Sequence, residues 1–525
     1  MSFPGKTLLL VLLSLSACRT FPKTPYSALA ALQSSPGAYL SGTPIALGDR
    51  QVLNREDFVY DAKLSPDSKL AAVSRLGSKS FHLAVQQSDE SKPRFDTAIN
   101  PLEFDVDELE FSPDGTRIAT VSRDGALRIY SAKTGALESA WLTEEPLVSV
   151  GWHPSGELLA LGSAKGLVTL VSATRLQYLA ELRAHTDEVR AVTFTRAGEL
   201  VTGSWDKHLL VFDLSVSDIP THQVRTHVTK KNGVVSFRGV LDGAASATVA
   251  LDTRVPMIVV KAALAEAAGI KVLQLTDSVQ IATAFGNQLA RVAKGRVLTI
   301  KNLVFENVDV AVCDACVPPD AQAVIGGPAL DHVLTAFDES TSEIVFTLLP
   351  GAKATVSAGQ TLTLVREFAF PAAINDLSLD AQGTIAGIAF SETKSERTKA
   401  VYDREKKNEV EPEREWDCGA RVALESGTVL DKQHGHLGVV ATVGISPDGK
   451  TLATGGWDKK VILHGQPLAI EDGFGWAIRR VRFSRDGSRL VVAAWTPQNP
   501  LNNHQSDPSA VVYEVVYGEA NVIAR

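Results

Sequence analysis

Cysteine is scarce in this 525-residue chain, with only Cys18, Cys313, Cys316 and Cys418. So few thiols exclude a fold stapled by many disulfides. The single Cys313-Asp314-Ala315-Cys316 pair has no second pair to complete a four-ligand zinc site, so no metal is expected, and a local disulfide or buried thiols are the alternatives. An excess of positive charge is also missing. Lys and Arg total 52 against 60 Asp and Glu, a net charge of −8, which argues against a general nucleic-acid-binding surface. After the N-terminus no stretch reaches 18 continuous apolar residues, so no spanning helix is expected. At 45% hydrophobic and 21% charged, the composition is far from that of a disordered chain.

What the chain does have is one short turn used seven times. It reads Ser65-Pro66-Asp67-Ser68, Ser112-Pro113-Asp114-Gly115, His153-Pro154-Ser155-Gly156 and Thr195-Arg196-Ala197-Gly198. It returns as Asp380-Ala381-Gln382-Gly383, Ser446-Pro447-Asp448-Gly449 and Ser484-Arg485-Asp486-Gly487. The first three gaps between turn ends are 47, 41 and 42 residues, the period of a four-stranded propeller blade. Each turn sits between alternating apolar runs, as in Leu109-Glu110-Phe111 and Arg117-Ile118-Ala119-Thr120-Val121. Such runs, bounded by Gly, Asp and Pro, predict short antiparallel strands. The expected fold is therefore all-β: a seven-bladed propeller over 43–215 and 358–525, with the segment near Arg50 to Asn54 completing the last blade. Ring closure removes the exposed strand edges that an open sheet would leave.

The units resemble WD repeats. His185, Thr202, Asp206 and Phe212-Asp213 fall where that family has its structural His, Ser/Thr, turn Asp and Trp-Asp; His436, Thr454 and Asp458 repeat the pattern, with Leu463-His464 at the dipeptide position. The resemblance implies a buried hydrogen-bonded network that fixes the blade turn, and a protein or peptide ligand. Trp205 and Trp457 are not the family's Trp-Asp residue; they immediately precede the turn Asp. The 66-residue gap before the sixth turn holds the charged run 404–409, expected as a solvated hairpin tip.

The fourth gap is 185 residues, and about 216–357 is expected to be an insert between the third and fourth strands of the fourth blade. It should leave on the side of the repeated turns, and the loop Thr496 to Ser509 on the opposite side. Within the insert, Val234–Val240 and Ala247–Leu251 flank the turn Asp242-Gly243 and lead into Asp252-Thr253. A helix is expected over Val260–Ala268, then strands at Arg296–Ile300 and Val308–Val312, and a short helix at Pro328-Ala329-Leu330 after Val324-Ile325-Gly326.

This order resembles the retropepsin-like aspartic proteases. Asp252-Thr253 stands at that family's Asp-Thr-Gly, Gly286 near its flap, and Val324-Ile325-Gly326 at its hydrophobic-hydrophobic-Gly segment. The resemblance implies a homodimer, one catalytic Asp252 per subunit supported by Thr253, and no cofactor. The two carboxylates would share one proton, because like charges at close range cannot both ionise. Arg254, however, replaces the family's Gly and adds bulk and a fixed charge beside the carboxylate. Two readings follow: an interaction or scaffold protein whose insert has weak or lost activity, or an active dimeric endopeptidase.

Lys6, the apolar run Leu8–Leu13 and Leu15-Ser16-Ala17-Cys18 describe an export signal over 1–17. The last four residues resemble the lipobox of bacterial lipoproteins, which implies acylation of Cys18, a linker over 18–42 and attachment to a lipid membrane. Arg19, where that family uses Asp for inner-membrane retention, implies the outer membrane, facing the periplasm or the surface.

Overall fold

The computed structural model describes residues 39–523 apart from 42–43, 55–57, 77–79, 91, 102–105, 144, 175–177, 217–222, 232, 284–285, 339–341, 353, 357–359, 392–417, 464–465, 468–476, 495–508 and 518–520. Cys18, the run 404–409, His464 and most of the loop Thr496 to Ser509 lie outside the described residues.

Seven four-stranded antiparallel units succeed one another along the chain. The second is representative: Val106–Phe111, Arg117–Ser122, Ala126–Ser131 and Leu137–Leu142 pair in order. In each repeated turn a Gly, or Ser68 in the first, takes a positive φ, for example 71° at Gly115 and 75° at Gly156. This is why glycine recurs there. The polar turn residues satisfy the backbone that the reversal exposes. Ser112 Oγ donates to Asp114 Oδ1, and the Arg117 N–H donates to Ser112 Oγ at 2.9 Å. Arg117 also reaches the next blade, donating from Nη2 to the Gly156 carbonyl at 3.1 Å, and so ties adjacent turns together.

The first strands of the blades touch one another in a closed ring, from Phe58–Leu64 round to Ile478–Phe483. The seventh blade is completed by Pro44–Asn54 pairing antiparallel with Ala510–Tyr517. Closure therefore joins Pro44–Asn54 and Ala510–Tyr517 in one sheet, and each blade's inner strand, paired on one side only, packs against those of its neighbours. Apolar side chains from neighbouring blades fill the space between them, as where Leu83 and Phe81 meet Leu109 and Tyr130.

In the fourth blade the third strand, His208–Val216, pairs with Gln360–Ala369. The chain between them forms a mainly β unit with its own core around Phe237, Phe305, Phe346 and Ile325. It leaves from the end of the blade that carries the Thr195–Gly198 turn, since Leu200 pairs with Phe212 and Phe212 with Leu364. The sequence gives no sign of a second attachment. Ala245 pairs in parallel with Ala140 of the second blade's outer strand, and the Leu142 N–H donates to Ser246 Oγ at 3.0 Å. Lys301 adds an ion pair with Glu181 of the third blade at 3.3 Å.

The helix is shorter than the expected Val260–Ala268. Ile258–Val260 is a strand, and the helix runs over Ala262–Ala267. Val259 and Val260 pair with both Ala311–Val312 and Val324–Ala323, so buried β-branched side chains are held in the sheet. Asp314 supplies the missing cap, its Oδ1 accepting from the Ala262 N–H at 2.6 Å. Among the described residues no helix is long and apolar enough to cross a membrane.

Candidate functional site

Asp252 follows the strand Ala245–Leu251, which pairs in parallel with Ala323–Ile325. Parallel pairing sets Leu251 against Ile325, and the Asp252 N–H donates to the Ile325 carbonyl at 3.2 Å. The loop then turns back: Val255 N–H donates to the Asp252 carbonyl and Gly327 N–H to the Val255 carbonyl, each at 3.1 Å. Glycine is required after Ile325. A Cβ on Gly326 would lie 2.2 Å from the Val255 carbonyl oxygen, and one on Gly327 2.7 Å from that of Thr253. Val255 and Met257 pack beneath the loop with Ile281, Cys313 and Val324.

The Asp252 carboxylate is engaged by Arg254. Arg254 Nε donates to Oδ1 at 2.9 Å and Nη2 to Oδ2 at 2.8 Å, while the Arg254 backbone N–H also donates to Oδ1. One guanidinium thus occupies both oxygens in a bidentate pair. Its hydrogen bonds hold the Asp252 carboxyl below the usual carboxylate range, outweighing partial burial. The Asp252 side chain is 29% exposed and that of Arg254 89% exposed, so the pair lies on the surface of the insert. Thr253 is exposed, and among the described residues its hydroxyl makes no hydrogen bond. Gly286 pairs with Thr283 at the tip of the hairpin formed by Ser278–Thr283 and Gly286–Ile300. The structure therefore brings Asp252, Thr253 and Val324-Ile325-Gly326 together, and puts Gly286 on a separate hairpin.

Cys313 and Cys316 are joined by a disulfide beside this cluster, and Cys418 is buried in the fifth blade, outside any disulfide. Among the described residues no group of three or more His, Cys, Asp or Glu side chains is arranged to hold a metal.

The WD-type residues form two matching networks. His185 Nδ1 lies 2.9 Å from Asp206 Oδ2 and Nε2 2.8 Å from Thr202 Oγ1; His436 lies 2.9 Å from both Asp458 Oδ1 and Thr454 Oγ1. Both rings are sealed from solvent. Burial works to raise the Asp206 carboxyl, but the hydrogen bonds from His185 and the Thr186 N–H hold it well below its ordinary value. Sealed and fully bonded, these groups position the blade turn and cannot reach a substrate.

A further cluster escapes sequence reading. Along the central channel, Arg480 lies 2.6 Å from Asp61, 3.2 Å from Glu108 and 3.4 Å from Asp376. Arg482 lies 2.6 Å from Asp376, and Lys63 pairs with Glu108 and Glu110. Burial pushes the Glu108 carboxyl up against the pull of Arg480 and Lys63. For Asp376, Arg482 and Arg480 outweigh burial and hold it well below its usual range. One signal was available: charged residues interrupt the apolar alternation of the first strands, as in Asp61-Ala62-Lys63 and Arg479-Arg480-Val481-Arg482.

Two family models match separate parts of the chain. The model of the aspartyl protease family matches residues 235–329, and that of the WD domain, G-beta repeat, matches 103–131, 176–213 and 427–464. Among curated relatives, a guanine nucleotide-binding protein subunit beta of Arabidopsis thaliana is 30% identical over 121 residues, covering 21% of this chain and 32% of that protein. A ribosome biogenesis protein WDR12 homolog of Drosophila erecta is 34% identical over 116 residues, 22% of each chain. Eukaryotic translation initiation factor 3 subunit I of Coccidioides immitis is 37% identical over 98 residues, 18% of this chain and 27% of that one. The chain spans no more than about a third of the length of such relatives. Blade geometry, the Asp252 loop and these matches lead to one conclusion: the chain carries WD repeats and a retropepsin-like aspartyl protease domain.

Proposed function

We propose that this protein is a membrane-anchored interaction scaffold whose retropepsin-like domain has weak or lost peptidase activity. The observation that carries this reading is the bidentate Arg254–Asp252 pair. Proton sharing between two aspartates needs one of them to hold a proton, and a guanidinium on both oxygens favours the ionised form. The propeller supplies the interaction surface, as the WD repeats suggest. Membrane attachment through Cys18, in a bacterial envelope, rests on the export-signal pattern at the N-terminus.

A second reading, an active dimeric endopeptidase, is favoured by one feature. The strand Ala245–Leu251 docks on the second blade at its Ala245 end, so Asp252 lies at the far end, about 20 Å away at the rise of a strand. That leaves the Asp252 face open to a second copy, and the exposed Arg254 side chain has room to swing aside.

Purified full-length protein, incubated from pH 4 to 7 with an unstructured protein substrate, separates the two. The scaffold reading expects little cleavage by the native chain and a gain on Arg254→Gly that Asp252→Asn removes. Native cleavage abolished by Asp252→Asn would establish the peptidase instead. Sizing in the same buffers reports whether a dimer is present.

A further inference from the structure

The repeated turns converge on one place. Their second residues all line the mouth of the central channel on the face from which the insert leaves, around a cavity of about 610 Å³. At five positions that residue is apolar: Pro66, Pro113, Pro154 and Pro447, with Ala381. In the fourth and seventh blades it is Arg196 and Arg485. The same register thus carries an apolar collar broken by two guanidinium groups.

Both arginines are exposed, and among the described residues neither has a carboxylate partner. The cations deeper in the channel are already matched, Lys63 by Glu108 and Glu110 and Arg482 by Asp376. The acidic groups of the rim are turned to local work. Asp114 accepts from Ser112 and Thr116, and Asp380 from the backbone N–H groups of Thr384 and Ile385. On a chain whose net charge is −8, Arg196 and Arg485 thus set two exposed guanidiniums among the apolar collar residues of this mouth.

We propose that this mouth binds an extended acidic peptide segment, with Arg196 and Arg485 each receiving a carboxylate and the proline collar receiving the apolar residues between them. The spacing selects the class. Blades four and seven are separated by two blades on one side of the ring and three on the other, so the arginines stand on opposite sides of the mouth. A ligand that satisfies both needs two separated negative charges joined by a chain that tolerates proline contact. Guanidinium recognises carboxylate through paired donors. The inference rests on the scaffold reading and assigns it a face and a partner chemistry.

The test uses the full chain and a fluorescein-labelled peptide of four Glu-Leu-Pro repeats, with a Lys-Leu-Pro counterpart, read by fluorescence anisotropy. The native chain should prefer the glutamate probe, with affinity falling as salt rises. Arg196→Ala or Arg485→Ala should weaken binding about three-fold, and the double charge reversal Arg196→Glu/Arg485→Glu at least about ten-fold, the scale of two partly exposed ion pairs. Both arginines sit in exposed turns, and an unchanged melting curve verifies folding of the variants. Trp457→Ala, on the opposite face and 57% exposed, should bind like the native chain. No binding of the glutamate probe, binding that survives the double reversal, or binding lost in the Trp457 variant overturns the assignment. An Asp252-dependent cleavage of the unstructured substrate would remove the scaffold reading separately, whatever the probe does.

Discussion

Replacing Arg480 by methionine tests whether the channel charges form a desolvated network. Arg480 is the hub between Asp61, Glu108 and Asp376, whose side chains are 0%, 8% and 4% exposed. Methionine fills much of the same space but leaves those carboxylates with one cation fewer. Asp61 keeps the N–H groups of Ala62 and Leu109, Glu108 keeps Lys63 and the Val150 N–H, and Asp376 keeps Arg482 and Thr442. Uncovering a buried charge costs about 3–5 kcal/mol, so the propeller should melt about 5–10 °C lower. The loss should also depend on pH. The Glu108 carboxyl is already raised by burial, and Arg480 is the strongest force opposing that rise. Without Arg480 it rises further, so the folded variant takes up a proton more readily than the unfolded chain. A raised carboxyl favours folding at low pH and loses that contribution as pH increases, so the gap between variant and native chain should be smaller at pH 5.5 than at pH 8. Adding Asp61→Asn should recover part of the loss by removing one buried charge. The assay is thermal melting followed by tryptophan fluorescence at both pH values. A destabilisation under about 1 kcal/mol, or a gap that does not change with pH, would mean that water already solvates these groups.

Two further outcomes probe other parts of the molecule. His153 is buried beside Ser155, and burial lowers its imidazole to about 4. Its stabilising contribution is full above the ordinary histidine value and fades as pH falls toward 4, amounting to a loss of roughly 2 kcal/mol by pH 5. His153→Gln should flatten the melting profile between pH 7.5 and 5, and an unchanged slope would argue against a buried neutral ring. Gly326→Ala places a Cβ against the carbonyls of Val255 and Met257 and should cost about 2–3 kcal/mol within the insert. Trypsin cleavage after the exposed Arg254 should quicken while propeller melting stays unchanged; equal cleavage rates would show that the loop shifts freely.

Much of the propeller was legible because its determinants are local. A Ser-Pro-Asp-Gly turn needs only neighbouring residues, such as Ser112, Asp114 and Gly115, to close on itself. The helix starts later than its sequence pattern predicts because Val260 sits where a helical and a strand pattern overlap. Pairing with Ala323 and Val312, distant in sequence, decided between them. The direction of the Arg254 side chain was equally out of reach. Residue type says that a charge is present beside Asp252, and the loop conformation decides that it folds onto the carboxylate.

The order of residues alone determined an all-β chain of repeated blades with a different pattern spliced into the fourth, because turn chemistry and strand alternation act over a few residues. Only the tertiary structure decided which charges meet. Asp61 and Arg480, 419 positions apart, become partners when the ring closes, and Ala245 finds Ala140 when the insert folds back on the second blade. It also gathered seven scattered turn residues around one mouth and, among the described residues, left two arginines there without a carboxylate. Burial and approach are properties of the closed ring, and spacing along the chain does not encode them.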